Sequence, residues 1–457
     1  MAPPHKAKRS LRSLAVYFLV TLLIGVASFG AGIYATSAPT TITIVPNSFV
    51  QPYTYTVWTD GVTISARDGL TGSIATSGTS ATTVIQWCID NLPATGGVIL
   101  LKSGTYVLTA PVVMAPWPDA GNGTLMLVGE GMNATILKAD TLFYMWGAYT
   151  GLLTTNKLGT YPKIPQVIVQ DLTLDGNYEG VDGGGNFQSI HASLACIDAQ
   201  AYDAAGSTTP PRGLFHIFQR VNFYRSPGFG IFANGVIHIR DCLFQGGGQP
   251  DLAVGGVHVD NIGGGQHAYL LVTDSVYYNS SGNFIDIAVP EAGNSSTVVF
   301  MRNRSIDHQV GGVYALGNQS IIAYNTLQNT EINASVPSGI GYDSTTDTSN
   351  RAYNLVTGNI LTNITVVGGA SWASYYDKVY GNIGSLALTE NTGSASITAG
   401  TSVTFAHGLA AAPTCVWASF NATGYGGWTW TANATHAVVY VGTSGNYTVY
   451  WGAEAIP

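Results

Sequence analysis

Asp241-Cys-Leu-Phe244 and Gly256-Val-His-Val-Asp260, followed by Asp274-Ser-Val-Tyr277 and Asn283-Phe-Ile-Asp-Ile287, decide how the whole chain is read. Each pair joins a short strand led by Asp or Asn to a second short strand bounded by Gly or Asn. Units of the first kind return at Asp171-Leu-Thr-Leu174, Asn303-Arg-Ser-Ile306, Asn325-Thr-Leu-Gln328, Asn359-Ile-Leu-Thr362 and Asn382-Ile383, with Arg220-Val-Asn-Phe223 in an equivalent place. Units of the second kind return at Gly230-Ile-Phe-Ala233, Gly312-Val-Tyr-Ala-Leu316 and Gly339-Ile-Gly-Tyr-Asp343. The steps are uneven, from about 21 residues upward, which suits a coil of three short strands with loops of variable length. A helical repeat would carry a 3.6-residue period through each unit, and none is present. The reading is all-β: a right-handed parallel β-helix over residues 60–384, with 39–59 a linker or first strand.

Alternation then assigns the faces. If Ile231, Val257, Ile285, Val313 and Ile340 point into the coil, the next residue of each strand points out. The outward column is Phe232, His258, Asp286, Tyr314 and Gly341. Two residues further on lies a second column containing Asn234, Asp260, Ala288, Leu316 and Asp343. One coil back, Asp198 and Gln200 fall on the same face. Adjacent coils lie about 4.8 Å apart and i to i+2 about 6.7 Å, so Asp260 and Asp286 sit diagonally at roughly 8 Å. That separation lets one carboxyl protonate a leaving sugar oxygen while the other activates water. His258 is placed to assist or replace either one, and Phe232 and Tyr314 offer flat faces for sugar rings. A solvated polar ladder with no chemistry produces the same letters.

Composition narrows the setting. Apolar residues make up 46% of the 457 and charged residues only 9%, so Ser, Thr, Asn, Gly and Tyr must cover the surface. Lys6, Lys8, Arg9 and Arg12 precede the first apolar run and no acid does, so the formal −8 leaves about −12 on the remainder. No basic patch follows, which excludes nucleic acid as a partner. Leu14 to Tyr34 is long and apolar enough to span a bilayer, with the bases kept inside. Residues 1–38 are therefore read as a basic tetrad plus transmembrane anchor, or as a signal peptide cleaved near Thr36-Ser-Ala38; both imply export.

Eleven Asn-X-Ser/Thr sequons, at Asn122, Asn133, Asn279, Asn294, Asn303, Asn318, Asn333, Asn363, Asn421, Asn433 and Asn446, agree with a glycosylated extracellular surface. Cys88, Cys196, Cys242 and Cys415 lack zinc-ligand spacing. The pair to expect in an oxidising compartment is Cys196 with Cys242; buried free thiols are the alternative.

Residues 80 to 140 carry a family resemblance. Thr83-Val-Ile-Gln-Trp-Cys-Ile-Asp90 reads as a short helix, followed by Gly96-Gly-Val-Ile-Leu-Leu-Lys-Ser-Gly-Thr-Tyr-Val-Leu108 and Leu127-Val-Gly-Glu-Gly-Met-Asn-Ala-Thr-Ile-Leu137. With Val169-Gln-Asp-Leu-Thr-Leu-Asp-Gly-Asn177, this succession resembles the pectate-lyase superfamily, in the branch of rhamnogalacturonase-type enzymes, exo-glucanases and viral tailspikes. The resemblance covers about residues 60 to 385 and implies a β-helix capped by that helix. The Gly-Asp-Asp-Thr run common before the cap is replaced by Ala75-Thr-Ser-Gly-Thr-Ser-Ala-Thr82. Residues 385–457 change texture to antiparallel alternation, as in Val416-Trp-Ala-Ser-Phe420 and Tyr447-Thr-Val-Tyr-Trp451. They resemble the small β-sandwich modules that end tail-fibre and surface proteins. Trp417, Trp428, Trp430 and Trp451 form there either a sugar-stacking platform or core and subunit interface.

Two further clusters invite chemistry. Arg302, Arg304, Asp307 and His308 are faintly similar to the Ile-Asp-His stretch of pectate lyases, which implies an Arg base for β-elimination; a corner ion pair is the plainer account. The paired-Asp and Gly-His-Gly signatures of polygalacturonases are missing. Asp175, Asn177 and Glu179 place oxygens at alternate positions, as a Ca²⁺ loop begins, but Asn186 stands where a bidentate Glu is needed. A Gly-rich loop explains the same residues, and no cofactor is required. The sequence as a whole predicts an exported, membrane-anchored glycoprotein that binds polysaccharide and cleaves it as a glycosidase or lyase. The alternative is a non-catalytic adhesin, surface-layer or filament component, or spike-like glycan binder. Homo-oligomerisation through the C-terminal module is a further expectation.

Overall fold

The computed structural model describes residues 53–114, 123–140, 143, 151–155, 166–177, 195–199, 215–226, 228–233, 235–246, 255–259, 267–280, 284–287, 295–308, 312–314, 320–329, 339–341, 354–362, 365–367, 378–383, 390–409 and 412–455. The Leu14–Tyr34 run lies outside them. Among the described residues no helix is long and apolar enough to cross a membrane.

Every coil is built the same way. Strand His267–Thr273 runs along one face, Asp274 turns a corner, Val276–Ser280 runs along the second face, and Ile285–Ile287 along the third. The next coil repeats the path with Ser295–Met301, Arg304–His308 and Gly312–Tyr314. Corresponding strands pair in parallel, so the chain is the expected parallel β-helix, and parallel crossovers of this kind are right-handed almost without exception. Two of the faces merge into one bent 20-stranded sheet, and the third is a separate nine-stranded sheet among the described residues.

The corner between the first two faces is a column of left-handed residues. Asp171, Arg220, Asp241, Asp274, Arg302 and Tyr324 have φ between 50° and 60°, and Gly358 and Gly381 continue the column at 64°. Behind it runs a buried polar ladder. The side-chain oxygen of Asn303 accepts from the backbone of Ser275, that of Asn325 from Asn303, that of Asn359 from Asn325, and that of Asn382 from Asn359 (2.8–3.0 Å). Each amide nitrogen donates to a strand carbonyl: Val272, Phe300, Ile322 and Val356 respectively. These rungs are 28, 22, 34 and 23 residues apart. The sequence alignment of Asp241 and Asp274 with Asn303 is therefore off by one: Cys242 and Ser275 precede Asn303 in the ladder, and the two Asp residues precede Arg302 at the corner.

Inside, aliphatic and aromatic side chains stack coil on coil, as in Phe223–Phe244 (4.6 Å, 13°) and Tyr277–Phe284 (4.9 Å, 13°). The helix α1, Ala81–Asp90, closes one end. Ser80 caps it by accepting from the Thr83 amide, and Val84, Ile85, Cys88 and Ile89 bury its inner face. The antiparallel strands Tyr55–Thr59, Ile64–Asp68 and Ile74–Gly78 surround the cap. Cys196 and Cys242 are free, contrary to the expected pairing. They lie on different faces, and their thiols donate to the carbonyls of Leu174 and Phe218, with burial pushing both up to about 12.

Beyond Ile383 the long strands Glu390–Ala406 and His436–Glu454 pair antiparallel, with Cys415–Phe420 and Trp428–Ala432 added along the second. Register shifts near Gly400 bend the sheet, so that Ile397, Phe405, Val439, Val449 and Trp451 share one core, consistent with the expected sandwich. Lys378 of the last coil donates to Glu454 of this module at 2.5 Å.

Two predictions follow from this packing. Asn325→Ala removes one ladder rung and strands the Asn303 amide and the Phe300 carbonyl without partners. It lowers stability by about 2–4 kcal/mol in denaturant unfolding, and Asn325→Asp, which lacks the donor, also destabilises. His216 pairs with Ile237 and is fully buried, with neither ring nitrogen hydrogen-bonded; burial pushes it down to about 4 from an ordinary 6.5. The unfolded chain takes up this proton below its ordinary value and the folded chain only below the depressed one. Stability is therefore lost as pH falls through that window, by up to about 3 kcal/mol, and His216→Leu flattens that part of the pH–stability curve.

Candidate functional site

The nine-stranded sheet settles the register of the outward column. Ile197, Ile231, Val257, Ile285, Val313 and Ile340 pair in succession on the inner side. Thr154, Asp198, Phe232, His258, Asp286, Tyr314 and Gly341 pair in succession on the other. The run from Asp198 to Tyr314 thus occupies five consecutive coils, one residue per coil. Asp260 and Gln200 lie outside the described residues.

The column differs from a fully solvated ladder at its first rungs. Phe232 is 4% exposed and Asp198 1% exposed. Phe229, which sequence reasoning missed, packs against Phe232. Its carbonyl accepts from the Ser226 hydroxyl (2.5 Å) and the Cys196 amide, which pins the Gly-Phe-Gly turn at 228–230 against the sheet. Its ring packs with Ala195 and Phe232 into a small apolar cluster separate from the main core. An aromatic residue between two glycines just ahead of a site strand was the available signal.

His258 stacks on both rings, 4.6 Å from Phe229 and 4.8 Å from Phe232. Those two centroids are only 5.9 Å apart, so both phenyls lie on one side of the imidazole. The next rung on the other side is the Asp286 position. Phe232 is thus used up in orienting His258 and does not present the open stacking face expected of it. Asp198 accepts from the Thr154 hydroxyl at 3.3 Å, and its carbonyl accepts from the Thr155 amide. Asp198 and Asp286 are three strands apart, about 14 Å, which is too wide for a paired-carboxylate reaction. The register places the His258 and Asp286 positions side by side on adjacent coils.

The other expected sites resolve into structural roles. The Asp175 carboxylate takes two bonds from Arg225 (3.1 and 2.5 Å) and one from the Asn177 amide, while the Asn177 side chain donates to Ala139. A carboxylate held this way offers a cation little, so the described residues do not fit the Ca²⁺ site; Glu179 lies outside them. Arg302 is clamped by Asp274 at 2.7 and 2.6 Å, a corner ion pair that holds its proton more tightly. It stands at the corner of the 20-stranded sheet, away from the His258 face, and is a poor general base. Arg304 is exposed beside it.

The four tryptophans do not form one platform. Trp451 is buried, stacked on Phe405 at 4.1 Å, and Trp430 packs against the same core. Trp428 pairs with Val441 on that side, whereas Trp417 pairs with Gly452 on the opposite face.

No protein-family model and no curated protein matches the chain. Among solved structures it is similar to ORF18 of Geobacillus virus E2, at 12% identity and a TM-score of 0.44, over 67% of this chain and 55% of that one. The chain thus spans about half the length of that viral protein. It is also similar to the A-module of the Azotobacter vinelandii mannuronan C-5 epimerase AlgE4, at 16% identity and a TM-score of 0.30, over 67% and 91% of the two chains. A third similarity is to tailspike gp49 of the Acinetobacter baumannii bacteriophage Fri1, titled a capsular polysaccharide depolymerase, at 11% identity and a TM-score of 0.28, over 82% and 83%.

The Asp175–Arg225 pair supplies a test of the structural assignment. Arg225→Met leaves a buried carboxylate without its cation and lowers stability by about 3–5 kcal/mol, measured by chemical denaturation. The double variant Asp175→Asn/Arg225→Met recovers most of that loss, because the uncompensated charge is gone.

Proposed function

We propose that the protein binds a polysaccharide along the outer side of the nine-stranded sheet and hydrolyses it there. The observation that carries this reading is the in-register column Phe232, His258, Asp286 and Tyr314 on four consecutive coils. A chain of sugar rings laid across the coils meets an imidazole, a carboxylate and an aromatic residue in succession. Phe229 and Phe232 fix the plane of His258, so that its edge is held ready for proton transfer. Asp286, at the paired position one coil away, is assigned to orient the imidazole or to activate water. Asp260, two residues beyond His258 in the sequence, is the partner carboxylate we assign for an inverting reaction. Hydrolysis is preferred to β-elimination because Arg302 is committed to Asp274. Export and membrane retention through Leu14–Tyr34 complete the proposal; the basic tetrad and the length of that run support it.

Binding without cleavage is the second reading, favoured by the burial of Asp198 and Phe232, which makes part of the column a packed rung. The test incubates the full-length chain with a panel of neutral and uronic polysaccharides and follows reducing ends and unsaturated uronates. New reducing ends are expected, with Asp286→Asn and Asp260→Asn each lowering kcat by about 100-fold or more and leaving KM within a few-fold. Retained binding with no new ends on any substrate decides for the second reading. Unsaturated products would overturn hydrolysis outright.

A further inference from the structure

The terminal module carries a second face suited to sugar. The strands Cys415–Phe420, His436–Glu454 and Glu390–Ala406 lie side by side, and their registers align two rows on the side away from the core. One row is Thr392, Gly452 and Trp417; the other is Ser394, Tyr450 and Ser419. Trp417 and Tyr450 are 41% and 53% exposed, although both sit in the middle of regular strands.

Gly452 explains the pose of the indole. A Cβ there would lie 2.1 to 2.4 Å from Trp417 Cε2, Cζ2 and Nε1, so the ring lies flat across the glycine backbone. One face of the indole is used on Gly452 and the other is left to solvent. The core side of the same strand holds Trp451 in the opposite condition, stacked on Phe405 and buried.

We propose that Trp417 and Tyr450 form a saccharide-binding platform for a neutral polysaccharide, separate from the His258 face. A flat, exposed indole on a rigid sheet matches the CH face of a pyranose, and a second aromatic residue one row away matches a neighbouring ring of the same chain. Ser394 and Ser419 flank Tyr450 with hydroxyls for the ring edges. Neither row contains a charged residue; the next row pairs Glu390 with Glu454, which is bound to Lys378, so the two rows themselves suit an uncharged glycan. Two aromatic side chains among hydroxyls fall well short of the roughly 800 Å² per partner that a stable protein interface needs, which argues against a second copy as occupant. The platform does not depend on the His258 site being catalytic.

The test measures retention of the full-length chain on microcrystalline cellulose and β-chitin, and its retardation in gels containing laminarin or xylan. The wild-type chain is retained by at least one of these probes. Trp417→Ala weakens that binding about tenfold or more, and Tyr450→Ala does so by a smaller factor. Trp417→Ala uncovers Gly452, so Trp417→Phe, which keeps the glycine covered, accompanies it and gives an intermediate loss. The proposal fails if no probe is retained by the wild-type chain, or if Trp417→Ala with a native unfolding midpoint binds undiminished. A drop in sedimentation coefficient for Trp417→Ala or Tyr450→Ala would also overturn it, by giving the face to a second copy.

Discussion

One recurring left-handed corner position governs this molecule. Placing a side chain at φ near +55° costs about 1–2 kcal/mol where the residue is not glycine. Six such residues are stacked in register from Asp171 to Tyr324. The compensation comes from the next position, where Asn303, Asn325, Asn359 and Asn382 each bind the preceding coil twice, accepting from a backbone amide and donating to a strand carbonyl. Ser275 and Cys242 extend the same rail with a hydroxyl and a thiol. Removing water from this corner makes every bond in the rail obligatory, so each coil fixes the phase of the next.

Phase is what function requires here. With period-2 alternation, one residue of slip would send His258 and Asp286 into the core and Val257 and Ile285 to the surface. Loops between coils vary widely in length, yet the corner restores the register after each one. The charged groups of the corner take no part in the site. Asp171 with Arg220 and Asp274 with Arg302 hold each other on the outside of the turn, where side chains at left-handed positions project. This explains why the Arg-rich stretch near residue 302 looked chemical in the sequence: a strained corner and an active site both concentrate polar residues.

The fold was legible because its period survives in the letters, and the cap helix was legible from its Ser80 start and apolar face. The column from Phe232 to Gly341 was legible because glycine and asparagine bound each strand and fix its parity. Three things were not. Asp and Asn are both tolerated at the left-handed corner and at the ladder, so a corner Asp274 and a ladder Asn303 were aligned as equivalents. Phe229 lies ahead of its strand, and no period connects it to the rings it covers. Cys196 and Cys242 sit on different faces of the coil, which their separation along the chain does not reveal.

The same geometry bears on the sequons. At a ladder rung the chain reads Asn, then an outward residue, then an inward one. Where the inward residue is small and hydroxylic, Asn-X-Ser arises from the fold itself. Asn303-Arg304-Ser305 is such a case: Asn303 and Ser305 are both 2% exposed, Arg304 is exposed, and the Asn303 amide nitrogen already serves Val272. Asn133, Asn421, Asn433 and Asn446 differ, being exposed: Asn133 in a turn, Asn421 and Asn433 just past strand ends, and Asn446 within the strand His436–Glu454. Three of these use their side-chain oxygen to hold a neighbouring backbone amide, which leaves the nitrogen outward. A count of sequons therefore overstates how much glycan can cover this low-charge surface, and burial at the ladder identifies which to discount.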